Sequence, residues 1–395
     1  MKKHLLLAFS FAFILVQLTS CDKTTDPIVP AKKYLVSATL YKEYTKESLI
    51  SSFGSQGSLL AAFVNSGIKQ YKIVYKTTNT DGKEIEASGA FMMPSNSTAI
   101  MPLLSLQHGT ITKDTDAPSY FSTTGEAQIG SFFASVGNLV VMPDYIGYGT
   151  SNALPHTYEH RNGLATASLD LIRAIKEYIT DQKLNWNKNL MIGGYSEGGF
   201  ATMSLQKKIE TEFPTEFALK ASSCGGGAYN KTATIKALLN NEGTTNPSYN
   251  SLYLWVLLTY NRVYEINRTP AYYFKEPYAT SITTQNQNAQ INVGINNIVT
   301  DTFKNGINNN TDTAFMNALK DNDVFDWKPV TPTRLYHGDA DDLVPYFNSK
   351  TAYDAMVAKG ASVNVSLVTL KGKTHSSAIQ DYLLGTFEMF STYNK

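Results

Sequence analysis

The sequence predicts an α/β protein with a mostly parallel sheet of eight strands, helices on both faces, and one inserted, mainly helical segment. Two observations predict this fold. Over residues 34–228 and 328–395, short apolar or β-branched runs alternate with helical stretches that carry one apolar face. Residues 229–327 break this alternation, so we interpret them as an insertion, called the cap. A composition of 43% hydrophobic and 17% charged residues supplies a large core.

Eight runs of apolar or β-branched residues predict the strands. They cover residues 71–77, 85–92, 101–107, 138–142, 190–194, 218–222, 333–336 and 363–369. Helices are predicted over residues 163–179, 348–359 and 376–390. In the first of these, Leu164, Leu171 and Ile175 recur at spacings that place them on one helix face.

The first 20 residues predict a signal peptide, because basic residues precede an apolar run over residues 5–18. This run is shorter than the roughly 20 residues that a membrane-spanning helix needs. The Leu-Thr-Ser-Cys ending resembles a bacterial lipobox, which predicts lipidation of Cys21 and residues 21–33 as a tether. We therefore expect an exported protein that is anchored by lipid to a bacterial membrane.

The charge balance excludes some classes of partner. Lysine and arginine total 34 and aspartate and glutamate total 33, which argues against a nucleic-acid partner. The second of the two cysteines is Cys224, so with Cys21 lipidated no internal disulfide can form. The oligomeric state is left open by the sequence.

The candidate nucleophile is Ser196 in the pentapeptide Gly194-Tyr-Ser-Glu-Gly198, which follows an apolar strand and precedes a helix. This is the G-x-S-x-G arrangement in which a serine projects from a tight turn and only small residues fit two positions on either side. A glycine-rich turn with a solvated serine is the alternative interpretation.

A nucleophilic serine needs a base and an acid that orients the base, which follow it in the order Ser, Asp or Glu, then His. His375 is the remaining downstream candidate, because the histidine at 337 directly continues the predicted strand over residues 333–336. The acid comes from the end of that strand, where Asp339, Asp341 and Asp342 compete. Spacing alone does not choose among them.

The reaction also needs donors for the negatively charged oxygen of its intermediate. One is normally the backbone N–H after the nucleophile, here Glu197, and the other comes from the loop after an earlier strand, here Thr110.

Four segments together resemble the α/β-hydrolase superfamily, and more narrowly its secretory lipase and esterase group. They are Gln-His-Gly-Thr at 107–110, Pro-Asp-Tyr-x-Gly-Tyr-Gly-x-Ser at 143–151, Gly-Tyr-Ser-x-Gly-Gly at 194–199, and His-Gly-x-x-Asp-x-x-Val-Pro at 337–345. The resemblance covers most of the mature chain. It implies a serine hydrolase acting on a small-molecule or lipid ester without a cofactor, with Asp341 as the acid and a cap that shapes the acyl pocket.

The aromatic first half of the cap is expected to form an apolar wall over the pocket. This expectation concerns Tyr253, Trp255, Tyr260 and Tyr264.

Three other interpretations compete with the ester hydrolase. The segment His156-Thr-Tyr-Glu-His160 matches the H-x-x-E-H zinc pattern, but no third ligand can be named from the sequence, so we expect no metal and interpret these histidines as packing or capping residues. A serine exopeptidase of the same fold and a non-catalytic binding lipoprotein are the alternative functions.

Overall fold

The computed structural model describes residues 33–123, 125–241 and 246–393. The predicted signal peptide, Cys21 and all of the tether except Lys33 lie outside the described residues.

Nine strands of the described residues form one sheet in the order β1-β2-β3-β5-β4-β6-β7-β8-β9. They are β1 (Leu35–Tyr44), β2 (Ile68–Thr78), β3 (Glu84–Pro94), β4 (Met101–Gln107), β5 (Leu139–Pro143), β6 (Trp186–Tyr195), β7 (Ala218–Gly225), β8 (Thr333–Gly338) and β9 (Val365–Leu370). From β5 through β4 to β9 all neighbours are parallel, whereas β1, β2 and β3 pair antiparallel, and so do β3 and β5. The mostly parallel α/β sheet is thus confirmed.

The strand that the sequence did not predict is β1, which makes the sheet nine-stranded rather than eight-stranded. Among the described strands it lies at the sheet edge and pairs only with β2. Of its ten residues only Leu35 is buried, so it lacks the run of apolar residues by which the other strands were recognised.

Helices cover both faces of the sheet. Those outside the insertion are α1 (Lys46–Ser52), α2 (Gly57–Leu60), α3 (Ala127–Ser135), α4 (Arg161–Asp181), α5 (Glu197–Glu212), α13 (Phe347–Ala358) and α14 (Ile379–Tyr393). Successive strand residues point to opposite faces, so Leu103 joins the core beneath α4 and α5, while Leu104 joins the core beneath α3 and α14. The predicted helices over 163–179, 348–359 and 376–390 correspond to α4, α13 and α14.

Between the end of β7 and the start of β8 the described chain forms helices only, apart from one isolated bridge between Phe274 and Val299. These helices are α6 (Lys231–Leu239), α7 (Asn250–Val263), α8 (Pro270–Tyr273), α9 (Tyr278–Gln285), α10 (Ile295–Ile298), α11 (Asp301–Asn308) and α12 (Thr313–Asp321), with two short 3₁₀ turns. They share an apolar core of their own, which includes the fully buried Leu254, Phe303 and Phe315.

Across residues 33–123, 125–241 and 246–393, no helix combines the length and the apolar character that crossing a membrane requires.

Candidate active site

Ser196 stands at a sharp turn between a strand and a helix. Strand β6 ends at Tyr195 and α5 begins at Glu197, so one residue makes the whole connection, with φ 60° and ψ −123°. A residue other than glycine rarely adopts a positive φ, and such strain concentrates at functional positions. Two glycines make the turn possible. A Cβ atom at Gly194 would collide with the Gly198 carbonyl, and one at Gly198 would collide with the Gln107 carbonyl.

The structure brings Ser196, His375 and Asp341 into one hydrogen-bonded chain. His375 Nδ1 lies 2.7 Å from Asp341 Oδ2, and His375 Nε2 lies 2.8 Å from Ser196 Oγ. A carboxylate oxygen only accepts, so Nδ1 carries the proton and donates it to Asp341. Nε2 is then free to accept from the Ser196 hydroxyl. This is the hydrogen-bonding order that a nucleophilic serine and its base require.

The three aspartates after β8 have three different surroundings. Asp341 is buried beside His375, while Asp339 is exposed and its Oδ1 accepts from Gly372 N–H at 2.6 Å. Asp342 is half-buried, and its Oδ1 accepts from the His375 backbone N–H at 3.2 Å. Of the three, only Asp341 reaches the His375 ring.

A second histidine contacts the Asp341 carboxylate, and sequence reasoning set it aside because it lies in a strand. His337 Nε2 is 2.9 Å from the Val344 carbonyl and 3.2 Å from Asp341 Oδ2, so its N–H is shared between them. Its Nδ1 lies 2.7 Å from Ser349 Oγ. Burial works against ionisation of Asp341, but the hydrogen bonds from His337 and His375 outweigh it and hold its pKa well below the usual range.

Tyr195 also escaped sequence reasoning, although it lies next to the serine. Its hydroxyl donates to the His375 carbonyl at 2.7 Å, and its ring lies 5.2 Å from the His375 ring. The residue before the nucleophile therefore fixes the loop that carries the histidine. Its place in the pentapeptide was the available signal, but the partner is 180 residues away.

The two predicted oxyanion donors lie near Ser196. Glu197 is the first residue of α5, and a helix supplies no acceptor for the N–H at that position. Thr110 lines the same cavity as Ser196, and its Oγ1 is 3.0 Å from the Tyr158 hydroxyl. The neighbouring Gly109 N–H is occupied, because it donates to Glu126 Oε1 at 2.9 Å.

Glu126 was not recognised from the sequence, because it follows no motif and reaches the site only through the fold. It lines the cavity beside Ser196, and burial raises the pKa of its carboxyl.

A cavity of about 430 Å³ opens at Ser196 and is lined mainly by apolar side chains. It runs from Ser196 and His375 into the body, between α3 and α14, and the cap helices contribute Leu252. A smaller recess on the cap side of Ser196 includes Lys231, whose ammonium contacts Glu159 and lies 3.8 Å from the centre of the Phe200 ring.

The cap aromatics are not arranged as the sequence suggested. Tyr253 lines the recess beside Ser196, but Trp255 stacks on Tyr158 with ring centres 4.4 Å apart. The Tyr260 hydroxyl donates to the Glu159 carbonyl, and the Tyr264 hydroxyl donates to Asp321. The expected aromatic wall is therefore reduced to Tyr253, because the other three rings pack within the cap or against the loop before α4.

The residues of the H-x-x-E-H segment are engaged in separate interactions. His156 Nδ1 donates to the Ile146 carbonyl at 2.8 Å and Nε2 is 2.8 Å from Glu197 Oε1. His160 caps α4 by accepting from Gly163 N–H. Within the described part of the chain, no group of three histidine, cysteine, aspartate or glutamate side chains is arranged to hold a metal ion.

Comparison with known proteins gives one family and several structures. The profile of the family described as secretory lipase matches residues 121–381, more than half of the 395 residues. No curated protein matches the chain at a significant level.

Three solved structures illustrate the shared fold. A putative hydrolase from Legionella pneumophila superimposes with a TM-score of 0.81 at 24% identity, over 91% of this chain and 98% of the other. The rice cell wall degrading esterase LipA from Xanthomonas oryzae superimposes with a TM-score of 0.79 at 22% identity, over 92% of this chain and 100% of the other. Candida antarctica lipase A in its closed state superimposes with a TM-score of 0.65 at 18% identity, over 92% of this chain and 84% of the other.

Proposed function

The chain belongs to the secretory lipase family and is a carboxylic ester hydrolase, and we propose that it works through an acyl-enzyme formed on Ser196. The observation that carries this proposal is the hydrogen-bonded chain from Ser196 through His375 to Asp341, with both distances below 3 Å. The position of the serine at a strained turn beside an apolar cavity supports the same conclusion.

The proposed reaction has two halves. Ser196 Oγ attacks the ester carbonyl while His375 Nε2 takes its proton, and Asp341 holds the imidazole in the required tautomer. The backbone N–H groups of Glu197 and Thr110 stabilise the negative oxygen. His375 then protonates the departing alkoxide. In the second half, His375 takes a proton from water as the water attacks the acyl-enzyme. This step releases the carboxylic acid product and restores Ser196.

The cavity favours an acyl group of moderate size. Its lining is mostly aliphatic and aromatic, and its volume of about 430 Å³ lies within the usual range for small-molecule sites. The carboxyl of Glu126 also lines it, and this is the feature that would favour an exopeptidase, since it could pair with a peptide ammonium. Against that role, one of its oxygens already accepts from Gly109 N–H and burial favours its neutral form.

Export is supported by the secretory family, and we propose anchoring through a lipid on Cys21. The alcohol part of the substrate is open. One structural relative is described as degrading the rice cell wall and another is a lipase, so both an acylated polysaccharide and a triglyceride belong in the substrate panel.

The test compares kcat/KM for acyl esters and aminoacyl anilides in wild type and Ser196→Ala. We expect esters to be preferred by more than tenfold and the variant to lose several orders of magnitude in kcat at an unchanged melting temperature. A fluorophosphonate should label Ser196, as located by mass spectrometry of peptides. Anilide preference would replace the esterase with a peptidase, whereas no turnover and no labelling would favour a non-catalytic binding protein.

A further inference from the structure

We infer that Phe133 sets the longest acyl chain that the enzyme accepts, at about eight carbons, by closing the inner end of the cavity that begins at Ser196. This inference rests on the proposed function, because it assigns that cavity to the acyl group.

The cavity is bounded by one face of each of two helices. On α14, Ile379, Leu383 and Thr386 line it, at the spacing of residues that share a helix face. On α3, Ile129 and Phe133 line it, also one turn apart. Both helices belong to the body, so these two walls of the cavity come from the body, whereas the cap contributes Leu252.

The length of the cavity follows from the helix that lines it. Ile379 lies four residues after His375, and Thr386 is seven residues further on, so at roughly 1.5 Å per residue the lined stretch is about 10 Å long. An extended hydrocarbon with bonds of about 1.5 Å advances about 1.3 Å per carbon, so roughly eight carbons fill this stretch.

A second cavity lies on the far side of Phe133. It has a volume of about 260 Å³ and opens to the surface, where Phe63 is 49% exposed. Among the described residues, Phe133 is the one that lines both cavities, and it is only 3% exposed. Its ring is held by Phe387 and Phe390, whose ring centres are each 6.1 Å away. The Phe133 side chain is therefore the partition between the two cavities.

Removing this partition should lengthen the acyl site. The far cavity is lined by the rings of Phe63, Phe387 and Phe390 and also by polar side chains, so a chain that passes Phe133 meets further apolar surface as well as polar groups and water. In wild type the same chain would have to displace a packed aromatic ring. Because one methylene that does not fit an apolar pocket typically costs about tenfold or more in kcat/KM, a sharp length limit is expected.

The experiment measures kcat/KM for 4-nitrophenyl butyrate, octanoate and laurate with the full-length protein. In wild type we expect octanoate to exceed laurate by about tenfold or more. Phe133→Ala should raise the laurate to octanoate ratio by about tenfold, and Phe133→Leu should raise it by a smaller factor. Phe133→Leu also keeps the test valid if the alanine variant does not fold, because it removes less buried volume.

Phe132→Ala is the matched control. Phe132 is on the same helix and its ring also contacts Phe387, with ring centres 5.7 Å apart, yet it lines neither cavity. The laurate to octanoate ratio of kcat/KM in Phe132→Ala should equal that of wild type. An unchanged ratio in both Phe133 variants, an equal shift in Phe132→Ala, or a wild-type preference for laurate would overturn the inference. If instead Ser196→Ala keeps full activity, the proposed function fails, and this result is distinct from an unchanged length profile.

Discussion

Replacing Asp341 by asparagine should abolish most of the activity while leaving the fold intact. Asp341 Oδ1 accepts from the backbone N–H groups of Leu343 and Val344 at 2.9 and 2.8 Å. An amide nitrogen cannot accept those bonds, so the asparagine carbonyl must take the Oδ1 position. Its NH₂ group then occupies the Oδ2 position, 2.7 Å from His375 Nδ1. The surrounding backbone thus dictates the orientation of the new side chain.

This orientation forces His375 into the wrong tautomer. An NH₂ group donates, so Nδ1 must accept and the ring proton moves to Nε2, which faces Ser196 at 2.8 Å. A protonated Nε2 cannot take the serine proton. In a serine protease the equivalent change lowers kcat by about 10⁴-fold, which is about 5.4 kcal/mol of activation free energy. We expect a loss of this order.

The assay is kcat on a soluble acyl ester, with Asp342→Asn and Asp339→Asn as controls. Asp342 accepts from the Tyr249 hydroxyl and from the His375 backbone N–H. Its replacement should therefore weaken the hydrogen bonds of this loop by about 0.5–1.5 kcal/mol and lower kcat by at most about tenfold. Asp339 is exposed, so Asp339→Asn should change the free energy of unfolding by no more than about 0.5 kcal/mol. A larger loss in Asp342→Asn than in Asp341→Asn, or an Asp341→Asn variant within tenfold of wild type, would refute the assignment.

Two further predictions concern the same carboxylate. His337→Phe removes one of its donors, so the pKa of Asp341 should rise toward the usual range and urea unfolding at pH 7 should show a loss of about 1–3 kcal/mol; unchanged stability would contradict this. The folded-state pKa of Asp341 lies below its unfolded value of about 4, so its charge stabilises the fold above that pH and the contribution is lost on further acidification. The difference in unfolding free energy between wild type and Asp341→Asn should therefore shrink below about pH 4, and a difference that widens there would be inconsistent with a lowered pKa.

Much of the fold could be predicted from the sequence because most strands and helices, and the turn around Ser196, are encoded by residues that are consecutive in the chain. An apolar strand, a serine with a glycine two positions away on either side, and a helix follow one another in the chain, so the turn around Ser196 can be recognised from consecutive residues. The same holds for the strands with continuous apolar runs. Edge strand β1 lacks such a run, since most of its residues face solvent, and its place depends on pairing with β2.

Only the tertiary structure decided which groups meet. Asp339, Asp341 and Asp342 lie together in one short loop segment that precedes His375 in sequence, and the conformation after β8 turns only Asp341 toward the ring. The cap composition suggested an aromatic acyl site, yet the cavity runs between α3 and α14, where Phe133 ends it. The sequence determines which residues are neighbours along the chain. The direction of a side chain and the shape of a cavity depend instead on the packing of elements that are far apart in sequence.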